Sequence, residues 1–325
     1  MKLARVLVAI EFPGEADQPG LDKAIALASG SGARLEVLHV AYDPGAGRYG
    51  VGTMQRDIDY VVGLRRAQLA RLVETRQRHG LRVTTRVVWG RPAHELIVAA
   101  ATAFKADLIV GQSMRRGVAR RLLTYTDWQL IRHARQPVLL VKGADDWQRR
   151  PVLAAIDPLH AHDKPAALDR AILAAAATLA EALGARLHAY HAYAPAMRFV
   201  PGTSLEPLPV LAPPADQKRH QKAVRERVLR VTRAADVPTS RVELECSEAV
   251  RGLPRRARDL HASVVVLGAV SRGLIARWLM GSTAEKVLDA LSGDVLVVPP
   301  SRPAARRRPK TKTKTKTATQ RLRRD

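Results

Sequence analysis

Residues 152–156 (VLAAI) repeat residues 6–10 (VLVAI), and residues 185–192 (ARLHAYHA) repeat residues 33–40 (ARLEVLHV). The chain therefore carries one pattern twice, at an offset of about 150 residues, well beyond the roughly 20–50 residues of a solenoid repeat. Such an offset is a domain duplication. In the first copy, apolar runs at 3–10, 35–40, 83–88, 107–111 and 138–141 alternate with helically spaced segments at 21–28, 54–79, 93–103 and within 115–135. Short unbroken apolar runs suit strands buried on both faces, and strands alternating with helices give a parallel sheet covered on both sides. Glycines stop the helices, Gly30 and Gly32 after the first and Gly80 after the second. The second copy restarts at 152–156 and continues with strands at 187–192, 242–246, 264–268 and 294–298. Its helices fall at 165–183, 216–235, 248–261 and after Gly281. The reading is α/β: two tandem five-stranded parallel-sheet domains, 1–142 and 151–300, joined by a polar linker at 143–150 and followed by a tail at 301–325.

A chain of 325 residues is long enough for two such cores. No apolar run approaches the ~18–20 residues of a membrane-spanning helix, and the first residues do not read as a secretory signal. The single cysteine, Cys246, excludes an internal disulfide and a cysteine-only metal site. Glu243, Glu245 and Glu248 beside it work against a reactive thiolate. A cytoplasmic protein is expected.

The net charge of +24 is the feature that speaks to partners. The last 25 residues hold 11 Lys or Arg against one Asp. RRRPKTKTKTKTATQRLRR (306–324) has no apolar face, cannot offset its ordering entropy, and is expected to be disordered. Arg306, Arg307 and Arg308, with Lys310, Lys312, Lys314 and Lys316, form a low-complexity arm suited to nucleic-acid phosphates, with salt-sensitive, sequence-indifferent affinity. The alternative is a solubilising tail with incidental affinity for polyanions.

Residues 264–288 (VVVLGAVSRGLIARWLMGSTAEKVL) carry the most chemistry. A buried-type strand ends at Gly268, a basic loop follows, and Gly281, Ser282 and Thr283 open a helix. Glycines admit close backbone approach, hydroxyls add donors, and a helix N-terminus carries partial positive charge, so the arrangement suits a phosphate cradle. A plain strand-to-helix turn with Ser282 as N-cap and Glu285 in the first turn is the competing reading.

At these residues the chain resembles the universal stress protein family, in its tandem, E-type form, over about residues 1–300. The family's nucleotide motif is G, two residues, G, nine residues, G, then Ser or Thr. The second copy matches it at Gly268, Gly281 and Ser282 and places Ser271 where the second glycine belongs. In the first copy the positions are Gly111, Met114, Thr124 and Tyr125, so that site is degenerate. TDWQLIRHARQPVLLVK (126–142), VVWGRPAHELI (87–97) and DQPGLDKAIAL (17–27) look like the E-type member. The resemblance implies the adenine-nucleotide-hydrolase-like fold, with the fifth strands paired across a two-fold axis into an internal pseudo-dimer. It also implies ATP as a ligand of the second domain, with Mg²⁺ accompanying it, Asp157 near the ribose or metal–phosphate region, and the backbone at His191–Ala192 facing the adenine. Glu11 and His39–Val40 are the first-copy counterparts. Asp157 has a second reading as a cap of the turn before Pro158. Arg272 and Arg277 answer phosphate charge or are solvated arginines.

Other patterns carry less. His160, His162 and Asp163 read as a surface cluster, no ligand set names a metal, and no nucleophile elbow is present. GAGRYGVG (45–52) lacks the lysine of a P-loop. The proline-rich run 193–216 carries Met197, Phe199, Leu208 and Leu211 and reads as a long loop that packs on the neighbouring domain or shields an apolar ligand. The function expected is a stress-response protein that acts by binding a small ligand, with no catalytic residue assigned. Further self-association stays open. A nucleic-acid-associated protein acting through its tail, a carrier of an apolar or lipid-like molecule, and an ATP-processing enzyme are the rivals.

Overall fold

The structure is a computed structural model that describes residues 2–46, 54–76, 80–113, 123–144, 147, 149–159, 166–200, 207–269 and 282–300. The first half runs β1 (Arg5–Ile10), α1 (Pro19–Ser31), β2 (Arg34–Ala41), α2 (Met54–Glu74), β3 (Val83–Trp89), α3 (Ala93–Phe104), β4 (Leu108–Gln112), α4 (Tyr125–His133) and β5 (Val138–Val141). The second half runs β6 (Val152–Ala155), α5 (Ala166–Ala182), β7 (Leu187–Tyr193), β8 (Met197–Val200), β9 (Leu208–Leu211), α6 (Pro214–Arg233), β10 (Val242–Cys246), α7 (Ala249–Asp259), β11 (Val264–Gly268), α8 (Ser282–Ala290) and β12 (Asp294–Val298). A single 3₁₀ turn at Thr239–Arg241 precedes β10.

Ten of these strands form one sheet in the order β10-β7-β6-β11-β12-β5-β4-β1-β2-β3. Every pairing of this sheet within a half is parallel. The halves meet where β12 pairs antiparallel with β5, with Val295 opposite Leu140 and Val297 opposite Val138. Each of these strands would otherwise be an open edge of unpaired backbone groups, and pairing them closes both edges at once. The internal pseudo-dimer is thus built through the sheet itself.

Both faces are covered, as its parallel halves require. One face packs on α1, α2, α5 and α6 through residues such as Leu21, Leu69, Ile172 and Val228. The other packs on α3, α4, α7 and α8 through Ile97, Leu130, Leu253 and Leu288. Local chemistry sets the helix ends. Pro19 stands in the first turn of α1, where its missing N–H costs nothing, and Gly32 caps that helix at φ 70°. Gly30 allows α1 to approach α5 across the junction, since a Cβ there would lie 2.1 Å from the Ala182 carbonyl oxygen.

A buried polar cluster fastens the junction. Lys23 of α1 donates to Asp294 Oδ2 and to the Gly143 carbonyl, each at 2.5 Å. Asp294 also accepts from the Trp147 indole N–H and the Lys142 backbone N–H, both at 2.7 Å. Lys142, fully buried, sends its ammonium to the carbonyls of Leu288 and Leu291 at the end of α8. A cation suits a helix C-terminus, where the unpaired carbonyls concentrate negative charge. One carboxylate of the second half therefore holds a helix of the first and the connecting segment together.

The stretch 193–216 departs from the loop expected of it. It contains the antiparallel hairpin β8–β9. Its described strands do not pack on the neighbouring half: Phe199 and Leu211 are 70% and 66% exposed. No helix among the described residues is long and apolar enough to cross a membrane.

Candidate ligand site at the carboxyl edge of the sheet

In each half the chain leaves the first strand in one direction and returns for the fourth on its other side. The strand pairs β6/β11 and β1/β4 are therefore the switch points where open α/β sheets receive ligands beyond the strands' carboxyl ends. In the second half the pairings Val266↔Ala154 and Ala155↔Tyr190 bring the ends of β11, β6 and β7 side by side. Gly268, Asp157 and His191–Ala192 consequently share one edge.

Each of these residues is fixed by something specific. The Asp157 backbone N–H donates to Asp169 Oδ1 at 2.9 Å, so the first turn of α5 positions the strand end. His191 is buried, with Nδ1 3.0 Å from the Ile156 carbonyl oxygen. Its first-half counterpart, His39, places Nδ1 2.9 Å from the Ile10 carbonyl oxygen. A carbonyl only accepts, so both rings donate from Nδ1 and act as rivets between the first and second strands. Burial lowers the His39 pKa, with its bond to Ile10 opposing that shift and the charge of Arg65 reinforcing it. At these positions the histidine side chains tie the second strand of each half to the first.

Gly268 has a packing reason of its own. A Cβ there would lie 2.7 Å from Leu168 Cδ2 and 3.0 Å from Ile172 Cδ1, so the bare glycine lets α5 lie against the end of β11. Ser282 and Thr283 open α8, as expected. Ser271, Arg272, Arg277 and Gly281 lie outside the described residues, as do His160, His162, Asp163 and the tail residues Arg306, Arg307, Arg308, Lys310, Lys312, Lys314 and Lys316.

The first half presents a cleft of about 110 Å³ at its own switch point, lined by Ile10, Glu11, Val40, Gly111, Thr124 and Asp127 among others. Its wall is the N-terminus of α4, and that terminus is already filled. Thr124 Oγ1 accepts from the Asp127 N–H at 3.2 Å, and Asp127 Oδ2 accepts from the Thr124 N–H at 2.7 Å. This reciprocal capping box puts a carboxylate where an anionic ligand would bind. Asp127 is 3% exposed. Burial raises its pKa, opposed by its bonds to Thr124 and by Ser113 and Lys142. The cleft has room for a few waters at ~30 Å³ each, whereas sites for whole organic ligands run to roughly 300 Å³ or more.

Asp127 escapes a reading built on glycines, yet its signal is in the sequence: T-x-x-D at Thr124–Asp127 is a capping-box pattern. Counted from Gly111 and from Gly268, Asp127 and Ala284 stand at the same distance, 16 residues on. The second copy thus has no carboxylate at the position that blocks the first. Among the described residues no group of three or more His, Cys, Asp or Glu side chains forms a metal site.

Comparison with known proteins adds the family. The model of the universal stress protein family matches residues 2–142 and again 148–299. Universal stress protein E of Salmonella typhi is 27% identical over 305 residues, covering 91% of this chain and 94% of that protein. Universal stress protein Mb2028c of Mycobacterium bovis is 30% identical over 225 residues, covering 67% of this chain and 69% of that protein. A crystal structure of a universal stress protein from Pseudomonas aeruginosa UCBPP-PA14 superposes with a TM-score of 0.71 at 27% identity, covering 92% of this chain and 94% of that one.

Proposed function

The chain belongs to the universal stress protein family, which places it in the stress response, and on that premise we propose that its second half binds an adenine nucleotide, ATP first among the candidates, and acts by binding. The observation that carries the proposal is the contrast between two equivalent helix N-termini. α4 is closed by its own Asp127 carboxylate, whereas α8 opens at Ser282 beside the switch point with alanine at the matching position. A helix start at the carboxyl edge favours phosphate, and the sequence from Gly268 to Thr283 would supply a strand end, a basic loop and hydroxyls around it. Ser271 and Arg272 belong to that cradle, with Asp157 toward the ribose and His191–Ala192 toward the base. Magnesium enters with the triphosphate. A single carboxylate such as Asp157, together with phosphate oxygens, is the donor set Mg²⁺ ordinarily takes at nucleotide sites.

Thermal unfolding of the full chain with ATP, ADP, AMP or no nucleotide tests this. A ligand that binds only the native form at 100 times its Kd adds about 2.7 kcal/mol, so ATP is expected to raise the melting temperature by several degrees. No rise with any adenine nucleotide would refute the proposal.

A second reading rests on the tail, whose 11 basic residues are a phosphate-binding composition. If the seven singled out at 306–316 each neutralise one DNA phosphate, log K should fall against log salt with a slope of about −6. Deleting 301–325 should then remove most of that slope, and an unchanged slope would place the contacts on the folded halves.

A further inference from the structure

The hairpin β8–β9 carries an apolar face that no described part of the chain covers. Its register sets Met197 opposite Leu211 and Phe199 opposite Pro209, and alternation along each strand puts these four side chains on one side. All four are exposed. A two-stranded hairpin has little stability of its own in water. This one is mounted on the body. The Ala212 N–H donates to the Ala196 carbonyl at 3.0 Å, and the Gln217 side chain of α6 bonds the Ala196 N–H, the Ala196 carbonyl and the Ala212 carbonyl. His220 reaches the Ala194 carbonyl at 3.0 Å. Three large apolar side chains and a proline are thus held out on a fixed support.

The helix that holds the hairpin is strongly basic. α6 carries seven Lys or Arg against Asp216 and Glu226, and Lys218, Arg219 and Lys222, in its first turns, are exposed. An apolar face beside a cluster of cations decides among occupants. A second copy would bring cation against cation, between chains that each carry +24. A nucleic acid would satisfy the charge and offer Met197 and Leu211 no apolar medium. An anionic bilayer supplies both, with acyl chains for the hairpin and phosphates for the helix.

We propose that β8–β9 and the first turns of α6 dock this protein on an anionic lipid bilayer. Met197, Phe199 and Leu211 enter the boundary between headgroups and acyl chains, and Lys218, Arg219 and Lys222 lie against the headgroup phosphates. The docking is peripheral and independent of the nucleotide reading.

Cosedimentation of the full chain with vesicles of phosphatidylcholine alone, or of phosphatidylcholine with phosphatidylglycerol, tests it. Wild type is expected to pellet with the anionic vesicles only. The double variant F199S/L211S keeps the net charge and the tail, and is expected to bind them about tenfold more weakly, since two apolar side chains no longer enter the acyl boundary. Equal binding by the variant would assign the interaction to the tail and overturn the proposal. So would wild type left in the supernatant, or equal binding to neutral vesicles. A variant that keeps vesicle binding but loses self-association or oligonucleotide binding would assign the face to that partner instead. The two side chains are exposed, so the variant's melting temperature should match wild type. An independent reading comes from Phe199→Trp: its emission, less that of the four native tryptophans measured in wild type, should shift to the blue with anionic vesicles and be quenched by brominated acyl chains. Unchanged emission would also overturn the proposal.

Discussion

Asp294→Ala is expected to destabilise the protein by about 3–5 kcal/mol, the usual cost of removing one partner from a buried ion pair. The substitution strips the Lys23 ammonium, the Trp147 indole N–H and the Lys142 amide of a common acceptor, leaving the first with the Gly143 carbonyl and the face of the Trp147 ring. Lys23 is 7% exposed and Asp294 3%, so water cannot readily replace what is lost. Urea unfolding followed by circular dichroism measures the effect. A loss below about 1 kcal/mol would mean that the cluster does not fasten the halves. A double variant, Lys23→Met with Asp294→Leu, removes the stranded ammonium but still leaves the Trp147 and Lys142 N–H groups without that acceptor, so it should recover only part of the stability.

The second large effect is on binding. Ala284→Asp writes into α8 the carboxylate that α4 carries at Asp127. A unit charge about 4 Å from a phosphate, at an effective dielectric near 20, opposes it by roughly 4 kcal/mol, so ATP affinity should fall by at least about thirtyfold. An acidic residue in the first turn of a helix is otherwise favourable, so the melting temperature without nucleotide should hold or rise slightly. Lost affinity with retained stability separates this account from simple misfolding. Unchanged affinity would mean that the phosphates do not lie at the start of α8.

These two predictions differ in how far the sequence supports them. The duplication and the parallel halves were legible because strands buried on both faces read as unbroken apolar runs, as in VLVAI and VLAAI, with helices stopped by glycine. The joining of β5 to β12 is what the family resemblance implies, and β3 and β10 remain the edges of the sheet. The carboxyl-edge position of Asp157 and His191 follows from strand direction alone. Contacts set by tertiary distance were not legible. Lys23 and Asp294 stand 271 positions apart. What makes Gly268 a glycine in this fold is Leu168 and Ile172, about 100 positions earlier. The hairpin was hidden by its prolines: Pro209 lies within β9 and breaks the usual strand signature, which this exposed two-stranded piece tolerates. Asp127 is a different case. Its capping pattern, T-x-x-D, is local and lies in the sequence itself, beside a motif position where glycine is missing.

The central claim is that one half is open to nucleotide and the other is closed by its own carboxylate. Calorimetric titration of the full chain with ATP reads this directly through stoichiometry. The account predicts one ATP per chain, reduced to none detectable at the same concentrations by Ala284→Asp. Two per chain would contradict the closure of the first half, and none in the wild type would contradict the claim altogether.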